Sequence, residues 1–321
     1  MTVQTTAPSA KKLRIIVNPA AARGRAGKTA AQLRALIETD HSTAHIEWTY
    51  TERPGHAVEL TRQAGESGCE VVAVMGGDGT VHEVANGLMQ IDRLSRPALA
   101  IVPIGSGNDF VSGAELWQDP LTALQRTVQA CNGGLTTRWL DLGYVQDNRG
   151  RSEYFVNVIG IGLDASVAWH AQHMPGLSGF AMYFAALMRT LTNNYGAIPI
   201  SLGIDDELEV RKPVLMIAIA NGTREGGGFK ITPAARIDDG ELDLAMIGPV
   251  SRVRLLQLIP DVMAGTHARH PEITLRRIRR IHLRSEHPLL SHFDGEIFSW
   301  HGQGVREMLI SVEPAAVKLV I

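Results

Sequence analysis

Residues 76–80 read Gly-Gly-Asp-Gly-Thr, and this turn constrains the fold more than any other feature of the chain. It follows an apolar run at 71–75 and precedes a stretch with helical character at 81–89. The pattern predicts a buried strand that passes through a glycine turn into a helix. Glycines let backbone N–H groups approach a phosphate, and the start of a helix adds the positive end of its dipole. Asp78 puts a carboxylate where a phosphate-bridging Mg²⁺ would bind.

A second glycine loop follows the next apolar run. Residues 98–104 predict a strand, and it is followed by Gly105, Ser106, Gly107, Asn108 and Asp109. Gly and Asp also serve in turns for conformation alone, which is the alternative interpretation of each loop. Two glycine-rich loops with one carboxylate each, at the ends of neighbouring strands, favour a nucleotide-binding site.

Alternating patterns organise the first part of the chain. Strands are predicted at 13–17, 45–50, 71–75 and 98–104, and helices at 28–37, 56–65, 81–89 and 121–131. Strands and helices that alternate at these lengths predict a parallel sheet with helices on its faces. Ligands of such open sheets bind beyond the carboxyl ends of the strands, where both glycine loops fall.

The pattern changes near residues 132–134. Beyond residue 138 short strands dominate, at 139–145, 154–159, 198–203, 214–220 and 242–247, with one helical interruption at about 165–191. Short strands separated by glycine turns predict an antiparallel β-sandwich. The expected fold is therefore an N-terminal parallel α/β domain at 1–137 followed by a C-terminal β-sandwich domain at 138–309.

Composition sets limits on the class of protein. The chain has 321 residues, enough for two domains, and a net charge of −2 that gives nucleic acid no general attraction. Two cysteines fit a reducing compartment and provide no disulfide framework. The first eleven residues lack the apolar region of a signal peptide and predict a disordered tail. The longest apolar stretch, 180–187, is too short to span a bilayer, so we expect a cytoplasmic protein.

Several further blocks occur in a fixed order along the chain. Asn18-Pro19 follows the first strand, His82-Glu83 and Asn86-Gly87 follow the GGDGT turn, and Asn157 precedes Gly160, Gly162 and Asp164. Residues 233–243 and Asp294-Gly295-Glu296 complete the set. With these blocks the chain resembles the diacylglycerol kinase catalytic-domain family, most closely the bacterial soluble lipid kinases of diacylglycerol or sphingosine kinase type, over nearly its whole length.

The resemblance implies roles for the two domains and for individual residues. ATP would bind the first domain, to which residues 310–321 would return, and a lipid substrate would bind the second, with the active site in the cleft between them. The implied nucleotide-binding residues are Asn18, Pro19, Thr51, Gly76, Gly77, Gly79, Thr80, Gly105, Ser106 and Asn108. Asp78 and Asp109 would help to hold Mg²⁺. Ser106 replaces a threonine that is common in the family.

Asp294-Gly295-Glu296 predicts a hairpin turn when taken alone. Its position in the order matches the catalytic Asp of the family, so the resemblance implies that Asp294 is a general base toward the acceptor hydroxyl. Glu296 would orient Asp294 or the metal. We therefore take Asp294, Glu296 and Asp78 as the expected catalytic residues.

Residues 236–241 also have an ordinary interpretation as a turn. In the family a similar loop binds a structural Mg²⁺, which here implies Asp239 as ligand with backbone carbonyls from Arg236 and Glu241. One carboxylate with carbonyls and water is usual for Mg²⁺ but is also common without it. Both interpretations stay open at this point.

Three other patterns carry less weight. Gly27-Lys28-Thr29 resembles the end of a P-loop, but Ala22 stands where that motif needs glycine. The glycines at 160 and 162 lack the spacing of a dinucleotide fingerprint. The arginines at 276–280 and Arg284 fit either a solvated edge strand or a contact with anionic lipid head groups.

The sequence therefore predicts an ATP- and Mg²⁺-dependent lipid kinase that phosphorylates a hydroxyl of diacylglycerol or a similar lipid. The alternatives are an enzyme of NAD kinase type, whose family shares the GGDGT turn, and a non-catalytic lipid- or nucleotide-binding regulator. A lipid substrate implies transient peripheral contact with the inner membrane surface, through the arginine run or through the apolar stretch 180–187 with Leu177 before it. We expect no nucleic-acid partner, and the sequence leaves a homodimer open.

Overall fold

A computed structural model describes residues 11–38, 45–174, 177, 179–193 and 195–321. The predicted N-terminal tail lies almost wholly outside these residues. The chain divides into two compact units, called here the first unit and the second unit. The first unit comprises residues 1–105, 117–138 and 317–321, and the second unit comprises residues 106–116 and 139–316.

The first unit is built on a parallel sheet. Its strands are β1 (Lys12–Val17), β2 (His45–Tyr50), β3 (Val71–Gly76) and β4 (Ala98–Pro103), in the order β2-β1-β3-β4. The first helices are α1 (Ala26–Glu38), α2 (His56–Glu66) and α3 (Asp78–Met89), and after α4 (Asp109–Gly113) of the second unit comes α5 (Pro120–Gly133). All residues of β3 and β4 are buried, as expected for central strands covered on both faces.

The register of this sheet brings the strand ends to one edge. Val17 is aligned with Met75 and with Tyr50, and Gly76 is aligned with Pro103. The residues that directly follow the four strands therefore lie side by side at the carboxyl edge of the sheet. Both predicted glycine loops begin at this edge.

The second unit is antiparallel. Its strands are β5 (Thr137–Asp147), β6 (Ser152–Phe155), β7 (Val158–Gly162), β8 (Ile198–Ile204), β9 (Val210–Val214), β10 (Met216–Ala220), β11 (Leu242–Ile247), β12 (Ile273–Ile278), β13 (Arg280–Ser285), β14 (Ser291–Phe293), β15 (Glu296–Ser299) and β16 (Glu307–Val320). Its longer helices are α6 (Leu163–Gln172), α7 (Gly179–Asn193) and α8 (Arg252–Ala264). One sheet has the order β12-β11-β10-β7-β14-β15, and a second group pairs β16 with β13, β13 with β8 and β8 with β9.

Side chains from both groups of strands form the core of this unit. Phe155, Ile159, Leu202, Leu244 and Ile281 are among its buried members. The predicted fold class, a parallel α/β domain followed by an antiparallel sandwich, is confirmed.

Two predicted strands are broken in the structure. The strand predicted at 154–159 is β6 and β7, because the backbone N–H groups of Val156 and Asn157 bond to the Asp294 carboxylate instead of a neighbouring strand. The strand predicted at 214–220 is β9 and β10, because the chain changes sheets at Leu215: β9 pairs with β8, whereas β10 pairs with β7 and β11.

The helical content of the second unit also differs from the prediction. The single helical interruption at 165–191 is two helices, α6 and α7. Helix α8 was not predicted, although Ser251 caps its first turn by accepting a hydrogen bond from the Arg254 N–H. No helix among the described residues combines the length and the apolar character needed to cross a bilayer.

Two segments belong to a different unit from the residues that precede them in the sequence. Residues 106–116 group with the second unit, since the Thr223 hydroxyl donates to the Gly113 carbonyl and Asp109 accepts from the Gly227 N–H. Residues 317–321 group with the first unit, where Leu319 pairs in parallel with Leu99 of β4.

Candidate functional site

The carboxyl edge of the parallel sheet holds the predicted nucleotide residues of the first unit. The Asn18 side-chain amide donates to Thr80 Oγ1 at 2.9 Å, and its Oδ1 accepts from the Ala20 N–H at 3.0 Å. The Thr51 N–H donates to the Val17 carbonyl at 2.8 Å, which fixes Thr51 beside Asn18. Thr80 is buried, and its hydrogen bond with Asn18 links the GGDGT turn to the end of β1. These contacts hold two strand ends and a helix start as one rigid group.

The glycines of this edge are required by close packing. A Cβ on Gly76 would lie 2.6 Å from Thr80 Oγ1, and a Cβ on Gly77 would lie 3.3 Å from the Gly105 Cα. Gly77 occupies the N-cap position of α3, and Asp78 and Gly79 form the first turn of that helix. The two glycine loops therefore approach each other backbone to backbone at a helix N-terminus, which is an arrangement suited to phosphate oxygens. Pro19 packs beside Gly27 of α1.

The rest of the second glycine loop belongs to the second unit. Ser106 is exposed, and Asn108 has a left-handed backbone with φ of 55°. Asp109 accepts the Gly227 N–H on both carboxylate oxygens at 3.0 Å. Burial raises the pKa of Asp109, while the Gly227 and Gly226 amides and Arg224 lower it in part. The loop at 225–229, with three glycines at positive φ, wraps its backbone around this carboxylate.

Asp294 lies at the hairpin turn between β14 and β15, as its sequence indicates. Its Oδ1 accepts from the N–H groups of Asn157 and Val158 at 3.1 and 2.9 Å, and its Oδ2 accepts from the Val156 N–H at 3.2 Å. The residue has φ of 48°, a strained backbone for a residue with a side chain. Three donors from one segment fix the carboxylate and bring it close enough to Asp109 to raise the pKa of that group.

Glu296 is exposed, and its carboxylate accepts a hydrogen bond from the Gln172 amide at 3.3 Å. The same amide donates to the Gly295 carbonyl at 2.8 Å. Glu296 and Gln172 thus fasten the hairpin to the end of α6. The role of Glu296 in orienting Asp294 or a metal stays a prediction.

Three further candidates lie near Asp294, and the sequence assigned a role to none of them. Asp164 was noticed as part of a motif, but Glu225 and His292 were not singled out. His292 Nε2 lies 3.2 Å from Glu225 Oε1 and 3.5 Å from Asp164 Oδ2. Burial, followed by the charges of Asp164 and Asp109, raises the pKa of Glu225 well above its ordinary value. The signal available in the sequence was the position of His292, two residues before Asp294.

An apolar cavity of the second unit ends at two of these carboxylates. It has a volume of about 100 Å³ and lies among α6, α7, α8 and the sheet strands β10 to β12. Leu163, Leu187, Phe229, Leu258, Ile259 and Val262 represent its lining. Asp164 and Glu225 are its acidic wall residues. The cavity therefore has the polarity of a site for the end of a ligand with an apolar body and a polar group.

The loop at 236–241 fits its predicted cation in one respect. Asp239 Oδ2 is buried and has no hydrogen-bond partner among the described residues, while Oδ1 accepts from the Glu241 N–H at 3.2 Å. Asp141 secures the loop by accepting from the Gly240 N–H at 2.7 Å. Arg277 already brings positive charge to within 3.8 Å of Asp239 and 3.7 Å of Glu241. The carboxylate oxygens suit Mg²⁺, and Arg277 competes for them.

The arginine run is divided between β12 and β13 and is paired with acids. Arg276 makes two 3.0 Å hydrogen bonds to Glu207, and Arg284 lies 3.3 Å from Glu307. Arg279 lies 3.8 Å from Glu241, and Arg280 lies 3.6 Å from Asp206. β12 is an edge strand of its sheet. These pairs favour the solvated edge strand over a contact that works by charge alone.

Comparison with known proteins follows the same division of the chain. Residues 12–136 match the diacylglycerol kinase catalytic domain, and residues 157–321 match the YegS C-terminal NAD kinase beta sandwich-like domain. A probable lipid kinase, YegS-like, of Chromohalobacter salexigens is 31% identical over 78% of this chain and 78% of its own length. A diacylglycerol kinase of Mycobacterium tuberculosis is 29% identical over 85% of this chain and 84% of its own.

Solved structures share the fold. A diacylglycerol kinase of Bacillus anthracis superposes with a TM-score of 0.66 at 19% identity and covers 98% of both chains. An NAD kinase of Archaeoglobus fulgidus in complex with ATP superposes with a TM-score of 0.51 at 12% identity, over 97% of this chain and 93% of that one. At these identities the likeness concerns the fold alone.

Matches to both family models, over both units of the chain, place it in the lipid kinase class. More narrowly, it belongs to the family of bacterial diacylglycerol kinases and YegS-like lipid kinases.

Proposed function

We propose that this protein transfers the γ-phosphoryl group of ATP to a hydroxyl of diacylglycerol or a lipid of similar shape, with Mg²⁺ as its metal. The observation that carries the choice of acceptor is the apolar cavity of the second unit. Its walls come from helices and strands, and its two acidic residues lie near the hairpin of Asp294. An acyl chain matches the apolar walls, and a hydroxyl near the carboxylates is the group to be phosphorylated.

The donor side of the proposal rests on the first unit. The amides of the GGDGT turn and the dipole of α3 favour phosphate, while Asn18 and Thr80 keep the turn in place. Asp78 and Asp109 offer the carboxylate oxygens that Mg²⁺ prefers. When bound there, Mg²⁺ would neutralise charge on the transferred phosphoryl group. Catalysis in this class consists mainly of positioning and charge neutralisation.

Asp294 is the proposed general base. Its carboxylate is held by three backbone donors, so it needs no reorganisation to meet an acceptor hydroxyl. Gly295 beside it lies close to the Tyr183 hydroxyl of α7, the helix that also contributes Leu187 to the cavity wall. Helix α7 therefore contacts the hairpin of the proposed base and also forms part of the cavity wall.

The cavity also favours a lipid acceptor over the dinucleotide acceptor of the first alternative. A dinucleotide needs polar partners along its length, whereas this cavity is lined almost wholly by apolar side chains. An NAD kinase activity is therefore the weaker candidate. A non-catalytic regulator would bind ATP and lipid without turnover, and only an activity measurement distinguishes it.

Radiolabelled ATP offered with diacylglycerols of different chain length, a sphingoid base and NAD tests the proposal. We expect label in the lipid fraction, with a preference for long chains. Ala245→Phe, which fills the cavity from β11, should raise KM for a long-chain lipid and leave affinity for an ATP analogue unchanged. Ala31→Phe on the exposed face of α1 is the matched control. Label in NAD, or ATP binding without transfer to any lipid, would contradict the proposal.

A further inference from the structure

Three side chains from separate elements of the second unit meet at one point. Asp164 comes from the first turn of α6, Glu225 from the loop after β10 and His292 from β14. One carboxylate oxygen or imidazole nitrogen of each lies within 4.8 Å of the other two. His292 has only 1% of its side chain exposed, and Asp164 and Glu225 have 14% and 12%. The cluster is therefore close to fully withdrawn from solvent.

His292 Nε2 comes nearest to Glu225 Oε1, at 3.2 Å, and three buried atoms of the cluster make no hydrogen bond of standard geometry. Within the described part of the chain, Asp164 Oδ2, Glu225 Oε2 and His292 Nε2 have no hydrogen-bond partner. Burying a carboxylate without partners is costly, and two carboxylates side by side add mutual repulsion. Asp109 and Asp294 add further negative charge near Glu225. Among the described residues, no arginine or lysine forms an ion pair with Asp164 or Glu225 that would offset this negative charge.

The backbone leaves room for this meeting point. Gly160 of β7 is aligned with His292 in the sheet, and a Cβ at Gly160 would collide with both Asp164 and His292. The fourth wall of the cluster is therefore bare backbone. Because Gly160 has no side chain, the side chains of Asp164, Glu225 and His292 can meet beside its backbone. A larger residue at position 160 would fill that space.

We propose that Asp164, Glu225 and His292 bind a divalent transition-metal cation of the zinc or manganese class. Imidazole and carboxylate both serve as zinc ligands and carboxylates also suit manganese, whereas Mg²⁺ prefers oxygen ligands alone. A cation here supplies the missing positive charge and gives each unsatisfied atom a partner. The site uses none of the carboxylates assigned above to the phosphates of ATP.

The site is connected to its surroundings on two sides. Asp164 and Glu225 line the apolar cavity, so a cation held by them would lie at the end of the cavity proposed for the lipid head group, a role that rests on the proposed function. On the other side, the Gly295 N–H donates to His292 Nδ1 at 3.3 Å. Coordination through Nε2 places the ring hydrogen on Nδ1, which ends this contact beside Asp294.

The experiment titrates the untagged, chelator-treated full-length protein with Zn²⁺ and, separately, with Mn²⁺, in calorimetry without ATP or lipid. We expect one equivalent of either ion to bind in the presence of millimolar Mg²⁺. Glu225→Gln and Asp164→Asn keep side-chain shape and should each weaken binding at least about tenfold. Gly160→Ala keeps all three ligands but fills their meeting point, and it should remove binding. Thermal melting of each variant establishes that it is folded.

Two controls locate the ion. His287→Gln, an exposed histidine of the same region, and Asp239→Asn, in the loop at 236–241, should leave the affinity unchanged. Equal affinity in wild type, Glu225→Gln and Asp164→Asn would overturn the proposal, as would the absence of any stoichiometric binding. Because no substrate is present, a failure of the lipid kinase function leaves this result intact.

Discussion

At the scale of single residues, Asp294 combines a structural task with the proposed chemical one. Its two oxygens satisfy three backbone N–H groups at the break between β6 and β7. Asp294→Asn turns one acceptor into a donor that faces these N–H groups. We expect the free energy of unfolding to fall by about 1–3 kcal/mol and turnover to fall at least about 100-fold. Denaturant titration and the lipid kinase assay measure the two effects.

The control for Asp294 is Glu286→Gln, which changes an exposed carboxylate elsewhere in the second unit. Affinity for a non-hydrolysable ATP analogue should remain near the wild-type value in both variants, because the phosphate-binding turn belongs to the first unit. A loss of nucleotide affinity as large as the loss of turnover would make Asp294 a binding residue instead of a base.

Asp78 carries the matching prediction for the donor side. Asp78→Asn keeps the shape of the first turn of α3 and removes the charge offered to Mg²⁺. Turnover should fall at least about 100-fold while the melting temperature stays near wild type. Asp92→Asn, in an exposed turn of the same unit, is the control. Turnover close to wild type in Asp78→Asn would remove the metal role from this residue.

Which site residues the sequence could predict depended on how local their signal was. Asp78 and Asp109 each stand in a glycine turn after an apolar run, so their own neighbours identify them. Glu225 and His292 are 67 residues apart in the chain, and only the pairing of β14 with β7 brings His292 to the cluster. No local pattern encodes such a meeting of distant elements.

At the scale of elements, the missed helix α8 shows a second limit. Pro260 lies inside it, and proline usually ends a helix. Leu255, Leu258 and Val262 nevertheless repeat at helical spacing, and all three are buried. The helical spacing of the apolar residues was thus a better predictor of α8 than Pro260. Packing of the buried helix face outweighs the loss of the one backbone N–H that proline lacks.

The end of α8 is fastened by Asp261. Its carboxylate accepts from Arg269 at 2.6 Å and contacts His270 at 2.6 Å, and these hydrogen bonds, Arg269 first, lower the pKa of Asp261 to about 2. A lowered acid pKa contributes stability that is present above the unfolded value and is lost as pH falls through the folded one. Asp261→Asn should therefore be less stable than wild type at pH 5, and the difference should vanish toward pH 2. Denaturant titrations of both proteins between pH 2 and pH 5 measure it, and a difference independent of pH would contradict the assignment.

Helix α7 has two apolar faces, which points to the membrane contact that a lipid kinase needs. Tyr183 and Leu187 line the cavity, whereas Phe184 and Met188 are 39% and 38% exposed on the other side. We propose that this outer face rests on the bilayer surface. The double variant Phe184→Asp and Met188→Asp should weaken binding to lipid vesicles in sedimentation at least about tenfold, since burying the exposed part of each apolar side chain contributes roughly 1 kcal/mol.

Two variants serve as controls for the α7 face. Leu94→Asp changes a side chain that is 97% exposed in a loop of the first unit and should leave sedimentation unchanged. Arg277→Glu tests the alternative at the arginine run, where ion pairs with Asp239 and Glu241 already satisfy the charge. A larger effect of Arg277→Glu than of the α7 double variant would assign the membrane contact to the arginines.

At the scale of the whole molecule, the sequence indicated both folds because each unit has its own hydrophobic period: helices between strands in the first, closely spaced strands in the second. It could not indicate that residues 106–116 join the second unit. That assignment depends on contacts such as Asp109 with Gly227 and Gly113 with Thr223, which connect segments more than a hundred residues apart. Domain boundaries follow such contacts, and local composition does not record them.

The return of the C-terminus to the first unit supports a final prediction. Within residues 317–321, Val317, Leu319 and Val320 are nearly or fully buried, and Leu319 continues the parallel sheet beside β4. Burial of three such side chains contributes on the order of 5 kcal/mol, which is comparable to the whole stability of a small domain. Deletion of residues 317–321 should therefore unfold the first unit, abolish binding of an ATP analogue and expose β4 to limited proteolysis, while peptides of the second unit keep their hydrogen-exchange protection. Deletion of Ile321 alone, which is 42% exposed, is the control and should retain nucleotide binding. If the protein without residues 317–321 binds the analogue with wild-type affinity, the end of β16 is dispensable for the nucleotide-binding fold.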